Sequence, residues 1–262
     1  MGFIATTTGL VINPIFDVSV NSAPSGGTTL RAAFQTAANM IMAVGSTTPV
    51  TICFGVGYGF QGTNGIPISN QSSSTSVTTA FSTNYTTVLG ALKANNRSAA
   101  MTSVIKQITA QGPTGPSGNP FGSTYFTSFD GAKLLGIIPS DNLVYAQIGI
   151  GTSYPSASWV TGFLHEIAEC LGRVATYAPD NFSRFLSTGS WDLAGTTASA
   201  YFSLDNGVTA LAQYDGPSGD FGDFSGAGPE GTNDVFCASL GASPSNTLST
   251  IDKQLLNALG VQ

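Results

Sequence analysis

Hydrophobic residues recur along this chain with two different periods, and each period predicts a different element. Spacing of three or four positions predicts an amphipathic helix at residues 28–44, with Thr28 or Thr29 as its N-cap. Strict alternation predicts a half-buried strand at residues 50–58. Further helices are predicted at residues 81–92, 101–108, 130–135 and 158–171, followed by a terminal helix at 249–259.

The segments around these elements complete the predicted order. A short strand is predicted before the first helix, and residues 143–150 predict a second strand rich in Val, Tyr and Ile. Asp130 can cap the short fourth helix, and the Ser249 to Asp252 tetrapeptide resembles a capping box. Residues 59–76 are too polar for a core strand, so we expect a long loop at the rim of a cleft.

Helices and strands mix without the regular alternation of a doubly wound parallel sheet, and the chain contains no internal repeat. We therefore expect the α+β class. The turn-rich stretch at residues 112–122 is the best linker candidate, and the chain from residue 173 to Ser249 is rich in loops.

Composition narrows the class of protein further. Only 8% of the residues are charged, whereas 42% are hydrophobic, so the chain should fold with a polar but nearly uncharged surface. The net charge of −6 makes nucleic acid an unsuitable partner, and no apolar stretch approaches the roughly 18 to 20 residues of a membrane span. We expect an extracellular protein without a cleavable signal peptide, and three buried cysteines that form no metal motif.

One helix carries the strongest chemical signal, because it contains the only histidine of the chain and two acids within five residues. On that helix His165 and Glu169 lie at i and i+4 and point together, while Glu166 lies about 100° away. This is the arrangement of an HExxH metal motif, with Glu in place of the second His and with Glu166 as general base. Gly172 is predicted to end the helix.

A simpler interpretation of the same residues is structural. Glu169 and Arg173 also stand at i and i+4 and can form a surface ion pair, and a lone histidine on a helix is more often structural than a ligand. The spacing alone favours this structural interpretation. The apolar helix, the Gly172 exit and the concentration of scarce charges in one segment bring metal catalysis to about equal support.

Several segments resemble a bacterial family of predicted zinc metalloproteases whose helix reads HEIxExxGR. The matching stretches are HEIAECLGR, RFLSTG, AYFSLDNG, GDFGDF, LSTIDKQLLNALG, TICFGVGYG and FDGAKLLGI. The resemblance implies a single zincin-like domain over residues 1–262, with a mixed twisted sheet, an active-site helix and a loop-rich C-terminal part ending in a helix. Its N-terminal lobe would span about residues 1–172 and its C-terminal lobe about residues 173–262. Ala175 stands where the related metzincins place their third histidine.

With no second histidine, the third metal ligand must be another residue type. Asp180 is the first choice because it closely follows the helix exit, and Asp192 and Asp205 come next. Cys170 is disfavoured because i+5 rotates it onto the apolar side. A donor set of one histidine and two carboxylates suits zinc, and it also suits other divalent metals.

Two other site types have weaker signals. Asp215, Asp220 and Asp223 could ligate calcium, but their spacing is not that of an EF-hand and turn chemistry explains it better. A serine hydrolase would need a GxSxG motif, which the sequence lacks.

The sequence thus favours a metal-dependent peptidase, of the zinc metalloendopeptidase type, that acts on a peptide or protein substrate. His165, Glu169 and Asp180 would hold the metal, and Glu166 would be the general base. Arg184 or Tyr201 would steady the oxyanion. The alternative is an inactive protein on the same scaffold with a structural or self-assembling role, in which a sparsely charged surface favours a homo-oligomer or larger assembly.

Overall fold

The computed structural model describes residues 9–45, 49–174, 176–197, 199–215, 220–239 and 244–261. The strands are β1 (Leu10–Phe16), β2 (Val50–Tyr58), β3 (Ser74–Thr78), β4 (Ala80–Asn84), β5 (Thr124–Ser128), β6 (Val144–Ile150), β7 (Arg184–Ser187), β8 (Ser190–Trp191), β9 (Tyr201–Phe202) and β10 (Ala212–Gln213). The helices are α1 (Thr28–Met42), α2 (Tyr85–Ala94), α3 (Ala99–Thr109), α4 (Phe129–Leu134), α5 (Trp159–Cys170) and α6 (Thr250–Leu259).

The largest sheet has the strand order β1-β2-β6-β3. β1, β2 and β6 are parallel, whereas β3 pairs antiparallel with β6 at the edge. Helices and mixed sheets together confirm the α+β class. Buried side chains of β1, β2, β6, α1, α5 and α6 form one apolar core. Within it Phe34 of α1 meets Phe163 of α5 edge to face at 5.2 Å, which holds the two helices together.

Most of the strongly periodic elements occur where the pattern predicts them. α1, β2, β6, α5 and α6 match their predicted segments within a few residues. The predicted capping box of α6 is formed as well, because Ser249 N donates to Asp252 Oδ2 at 2.7 Å and Asp252 N donates to Ser249 Oγ at 3.0 Å.

Four local predictions are wrong. Gly27 rather than Thr28 or Thr29 is the N-cap of α1, and no side chain caps that helix. Residues 80–84 form a strand rather than the start of a helix, because β4 pairs with β5 and Asn84 then caps α2 by accepting from Thr87 N. The polar connection at residues 59–76 ends in an edge strand, since Ser74 already belongs to β3. Ser128 rather than Asp130 caps α4, and Asp130 is buried beside Lys133.

The chain after α5 forms a small antiparallel sheet with the order β10-β9-β7-β8. Its strands are too short to leave a periodic signal, so the sequence indicates only loops there. Residues 220–238 then run back to α5, and α6 packs Leu255, Leu256 and Leu259 into the main core. No helix among the described residues is long and apolar enough to cross a membrane.

Candidate metal centre

α5 buries one side and presents the other to a cleft. Phe163, Leu164 and Ile167 are buried in the core, whereas the side chains of His165 and Glu169 remain 14% and 12% exposed. His165 Nε2 lies 3.3 Å from Glu169 Oε1. The two side chains therefore point together, as their i, i+4 spacing predicts.

His165 is oriented from its other ring nitrogen. Nδ1 lies 2.9 Å from the carbonyl oxygen of Val235, and a carbonyl only accepts, so Nδ1 carries the proton and donates. A donor bond of this kind orients metal-binding histidines, and here it points Nε2 toward the carboxylates. Nε2 also lies 3.0 Å from Asp223 Oδ1. Burial alone would lower the pKa of His165, but the charge of Asp223 raises it well above its ordinary value.

Glu166 lies beside this pair and is almost fully buried. One ligand atom each from His165, Glu166 and Glu169 lies within 4.8 Å of the others. Burial raises the pKa of Glu166 to about 8, and the charge of Glu169 adds to the shift. A carboxyl group with a pKa near neutrality suits general acid and base work. Burial opposes ionisation of Glu169, but its hydrogen bond with His165 and the charges of His165 and Arg173 hold its pKa well below the usual range.

Arg173 lies on the buried side of the cluster. Its buried guanidinium donates from Nη1 to Asp223 Oδ1 at 2.7 Å and to Gly222 O at 2.8 Å, and from Nη2 to Glu169 Oε1 at 3.2 Å. The pair predicted between Glu169 and Arg173 thus exists, but it is buried rather than on the surface. The helix ends at Gly172, whose φ of 116° lets the chain turn back, as predicted.

The edge strand β3 contributes hydroxyl groups that the sequence analysis missed. Ser76 Oγ donates to Glu169 Oε2 at 2.6 Å, and Ser74 lines the same cleft as Glu166. The only signal was the period-two spacing of these serines, which is hidden in a run of similar polar residues. Hydroxyl donors of this kind orient carboxylate ligands.

The donor set fits a divalent cation. His165 offers Nε2, while Glu166, Glu169 and Asp223 offer carboxylate oxygens. Nitrogen and oxygen donors suit zinc, and a majority of oxygens also suits manganese or a similar metal. Arg173 competes with such a cation, because it already contacts Glu169 Oε1 and Asp223 Oδ1.

The cluster opens into a cleft of about 430 Å³. The described residues that line it are Ser72, Ser73, Ser74, Thr75, Ser76, Tyr154, Gly162, His165, Glu166, Glu169, Asp220, Asp223, Cys237 and Ala238. The polar connection before β3 therefore does line a cleft, as the sequence analysis expected.

Asp180, the expected third ligand, is not among the described residues that line the cleft. It is fully buried and accepts a hydrogen bond from the Tyr214 hydroxyl at 3.3 Å, and burial raises its pKa to about 7. Asp223 lies beside His165 in its place. The sequence analysis considered Asp223 only as a calcium candidate, since no spacing rule links it to α5. Ala175 lies outside the described residues.

The remaining candidates belong to the small C-terminal sheet and its turns. Arg184 is buried against Asp192, with Nε 3.0 Å from Oδ2, and the Tyr201 hydroxyl donates to Gly207 O at 2.6 Å. Asp205 accepts from Thr209 N and Oγ1. The side chains of these four residues are thus bonded within the C-terminal part of the chain. None of the four is among the described residues that line the cleft.

The three aspartates that were weighed as calcium ligands, and explained better by turn chemistry, do not come together as a unit. Asp220 and Asp223 line the cleft, whereas Asp215 is not among its lining residues and donates its backbone N–H to the Asp223 carbonyl. Cys170 is buried in the core, as its position on the helix predicts, and Cys53 and Cys237 are likewise free and buried. Comparison of the chain with protein-family models, curated proteins and solved structures found no match.

Proposed function

We propose that this protein is a metal-dependent peptidase with a zincin-like active site. The observation that supports the proposal is the cluster on one helix face, where His165, Glu166 and Glu169 bring ligand atoms within 4.8 Å of one another at the floor of a cleft. The bond from Nδ1 to the Val235 carbonyl, which points Nε2 toward the carboxylates, supports it as well.

In this proposal His165 and Glu169 hold the cation, and Asp223 takes the place first assigned to Asp180. When bound, a divalent metal lowers the pKa of a coordinated water and polarises the scissile carbonyl. Glu166 would act as the general base that takes a proton from the attacking water and returns it to the leaving amine. Ser76 orients the Glu169 carboxylate through its hydrogen bond. Zinc is the proposed metal, peptides or proteins are the substrates, and the proposed location is extracellular.

Metal analysis combined with peptide cleavage tests this proposal. His165→Ala should lose stoichiometric zinc, whereas Glu166→Gln should keep zinc and lose cleavage, because its amide cannot accept the proton. Asp223→Asn and Asp180→Asn form a matched pair: zinc affinity should fall in the first and stay unchanged in the second. The proposal would be refuted if the wild-type protein bound no divalent metal, or if the Glu166→Gln variant cleaved peptides as well as the wild type.

One observation favours the alternative of an inactive scaffold with a structural or self-assembling role. Arg173 already neutralises Glu169 and Asp223, so the ion pairs satisfy these carboxylates without a cation. In that case the purified protein would contain no metal, and light scattering would report a homo-oligomer. A metal-containing monomer would exclude this alternative.

A further inference from the structure

Tyr154 is the aromatic side chain that the cleft presents beside the cluster. It stands just before α5, and its backbone is held in two places. Its N–H donates to Gly151 O at 3.1 Å, and its carbonyl accepts from Trp159 Nε1 at 3.2 Å. Its position is therefore set by the turn that precedes α5 and by the helix itself.

The absence of a side chain at Gly162 allows the Tyr154 ring to lie close to α5. A Cβ built at Gly162 would lie 3.0 Å from Tyr154 Cε1, 3.2 Å from Tyr154 Oη and 3.3 Å from Ser74 Oγ. These distances are tighter than most side-chain contacts. Glycine inside a helix costs about 1 kcal/mol relative to alanine, and Gly162 has no positive φ that would require it. The missing side chain instead provides room for two hydroxyl groups.

The same spacing places these hydroxyl groups beside the reacting region. Gly162 lies three residues before His165 and four before Glu166, so all three share one face of α5. Ser74, Tyr154 and Glu166 line the same cleft. Burial raises the pKa of Tyr154 to about 12, so its hydroxyl stays protonated at neutral pH and can donate.

We propose that Tyr154 is a catalytic residue that donates a hydrogen bond from its hydroxyl to the substrate carbonyl oxygen as that oxygen gains negative charge. This inference rests on the proposed peptidase function. The role is the one the sequence analysis gave to Arg184 or Tyr201, whose side chains are bonded elsewhere. The hydroxyl keeps its proton, because a donor aimed at the developing oxyanion acts by electrostatic stabilisation.

Tyr154→Phe tests the proposal, since it removes one oxygen and keeps the ring. In zinc-loaded protein we expect unchanged zinc content and thermal stability, a kcat about 10²-fold lower and a KM within about twofold. A second readout does not depend on turnover: calorimetry should show weaker binding of a phosphonamidate peptide, which mimics the tetrahedral anion. Binding of the matching substrate peptide, measured in the Glu166→Gln background, should not change.

Two controls separate a missing donor from general damage. Tyr145→Phe removes a hydroxyl that is bonded to Asp141 Oδ2 and lies outside the cleft lining, so kcat should stay the same. Gly162→Ala should displace the Tyr154 ring and lower kcat in the same way as Tyr154→Phe. Gly90→Ala is the matched helix control, because no described atom lies within 4 Å of its Cβ position.

The outcomes distinguish failure of this inference from failure of the proposed function. Wild-type protein without metal-dependent cleavage would overturn both. An active wild type whose Tyr154→Phe variant keeps full kcat and full affinity for the phosphonamidate would overturn the role of Tyr154 alone.

Discussion

Arg173→Met removes the buried charge behind the cluster and keeps most of the side-chain volume. The guanidinium makes four hydrogen bonds, to Asp223 Oδ1 at 2.7 Å, Gly222 O at 2.8 Å, Glu169 Oε1 at 3.2 Å and His165 O at 3.5 Å. Without it, the two carboxylates repel each other in a buried setting. The variant should therefore be destabilised in the metal-free state.

The expected magnitude follows from these contacts. A hydrogen bond to a charged group contributes about 1.5–3 kcal/mol, and removing one partner of a buried ion pair costs about 3–5 kcal/mol in total. A domain near the middle of the ordinary range, about 10 kcal/mol, survives such a loss and stays folded. If a cation and the guanidinium use the same oxygens, zinc should bind the variant more tightly than it binds the wild type. Bound zinc should then reduce the difference in the free energy of unfolding between the two proteins.

Urea unfolding followed by tryptophan fluorescence measures both effects. In EDTA, the free energy of unfolding of Arg173→Met should be about 3–5 kcal/mol below that of the wild type, and the difference should shrink in saturating zinc. Arg31→Met is the control, since its guanidinium bonds Gly26 O and Asn21 Oδ1 at the surface and should shift stability by at most about 1 kcal/mol. Equal stabilities in EDTA would refute the ion-pair argument, and a difference unaffected by zinc would refute the shared oxygens.

Three further changes test other parts of the structure. Burial raises the pKa of Asp180 from 3.8 to about 7, so its contribution to stability is greatest below about pH 4 and is lost as the pH rises through 7. Asp180→Asn should remove up to about 4 kcal/mol of this pH dependence in denaturation series from pH 4 to 7.5, and parallel curves would contradict the buried-acid assignment. Ser249→Ala breaks the capping box of α6 and should cost about 1 kcal/mol in urea unfolding, whereas a change below about 0.3 kcal/mol would mean that the cap adds nothing. Phe163→Ala leaves a cavity against Phe34 and should cost about 3–5 kcal/mol by the same assay, with an unchanged unfolding midpoint as the contrary result.

The elements predicted correctly are those whose apolar pattern and end signals lie within their own residues. α6 has both a capping box and a row of buried leucines, and α5 has an apolar stripe that ends at Gly172. β4 was not predicted, because Phe81 belongs to a strand whose partner, β5, lies 40 residues further along the chain. Its pairing is a tertiary effect that overrides the local pattern.

The candidate site divides in the same way. His165, Glu166 and Glu169 could be predicted because one helix sets their spacing. Asp223 could not be predicted, since it reaches the site through the chain reversal after the small C-terminal sheet. Tyr154 was missed for another reason, because its approach depends on the missing side chain of Gly162.

The bond from His165 to the Val235 carbonyl joins residues 70 positions apart. During synthesis, α5 is therefore complete before the chain contains Asp223 or Val235, whose carbonyl orients the His165 imidazole. Until the last quarter of the chain has emerged and docked, the imidazole is free to rotate. Any chemistry at this helix is consequently a property of the finished molecule, and a nascent or truncated chain would be inert.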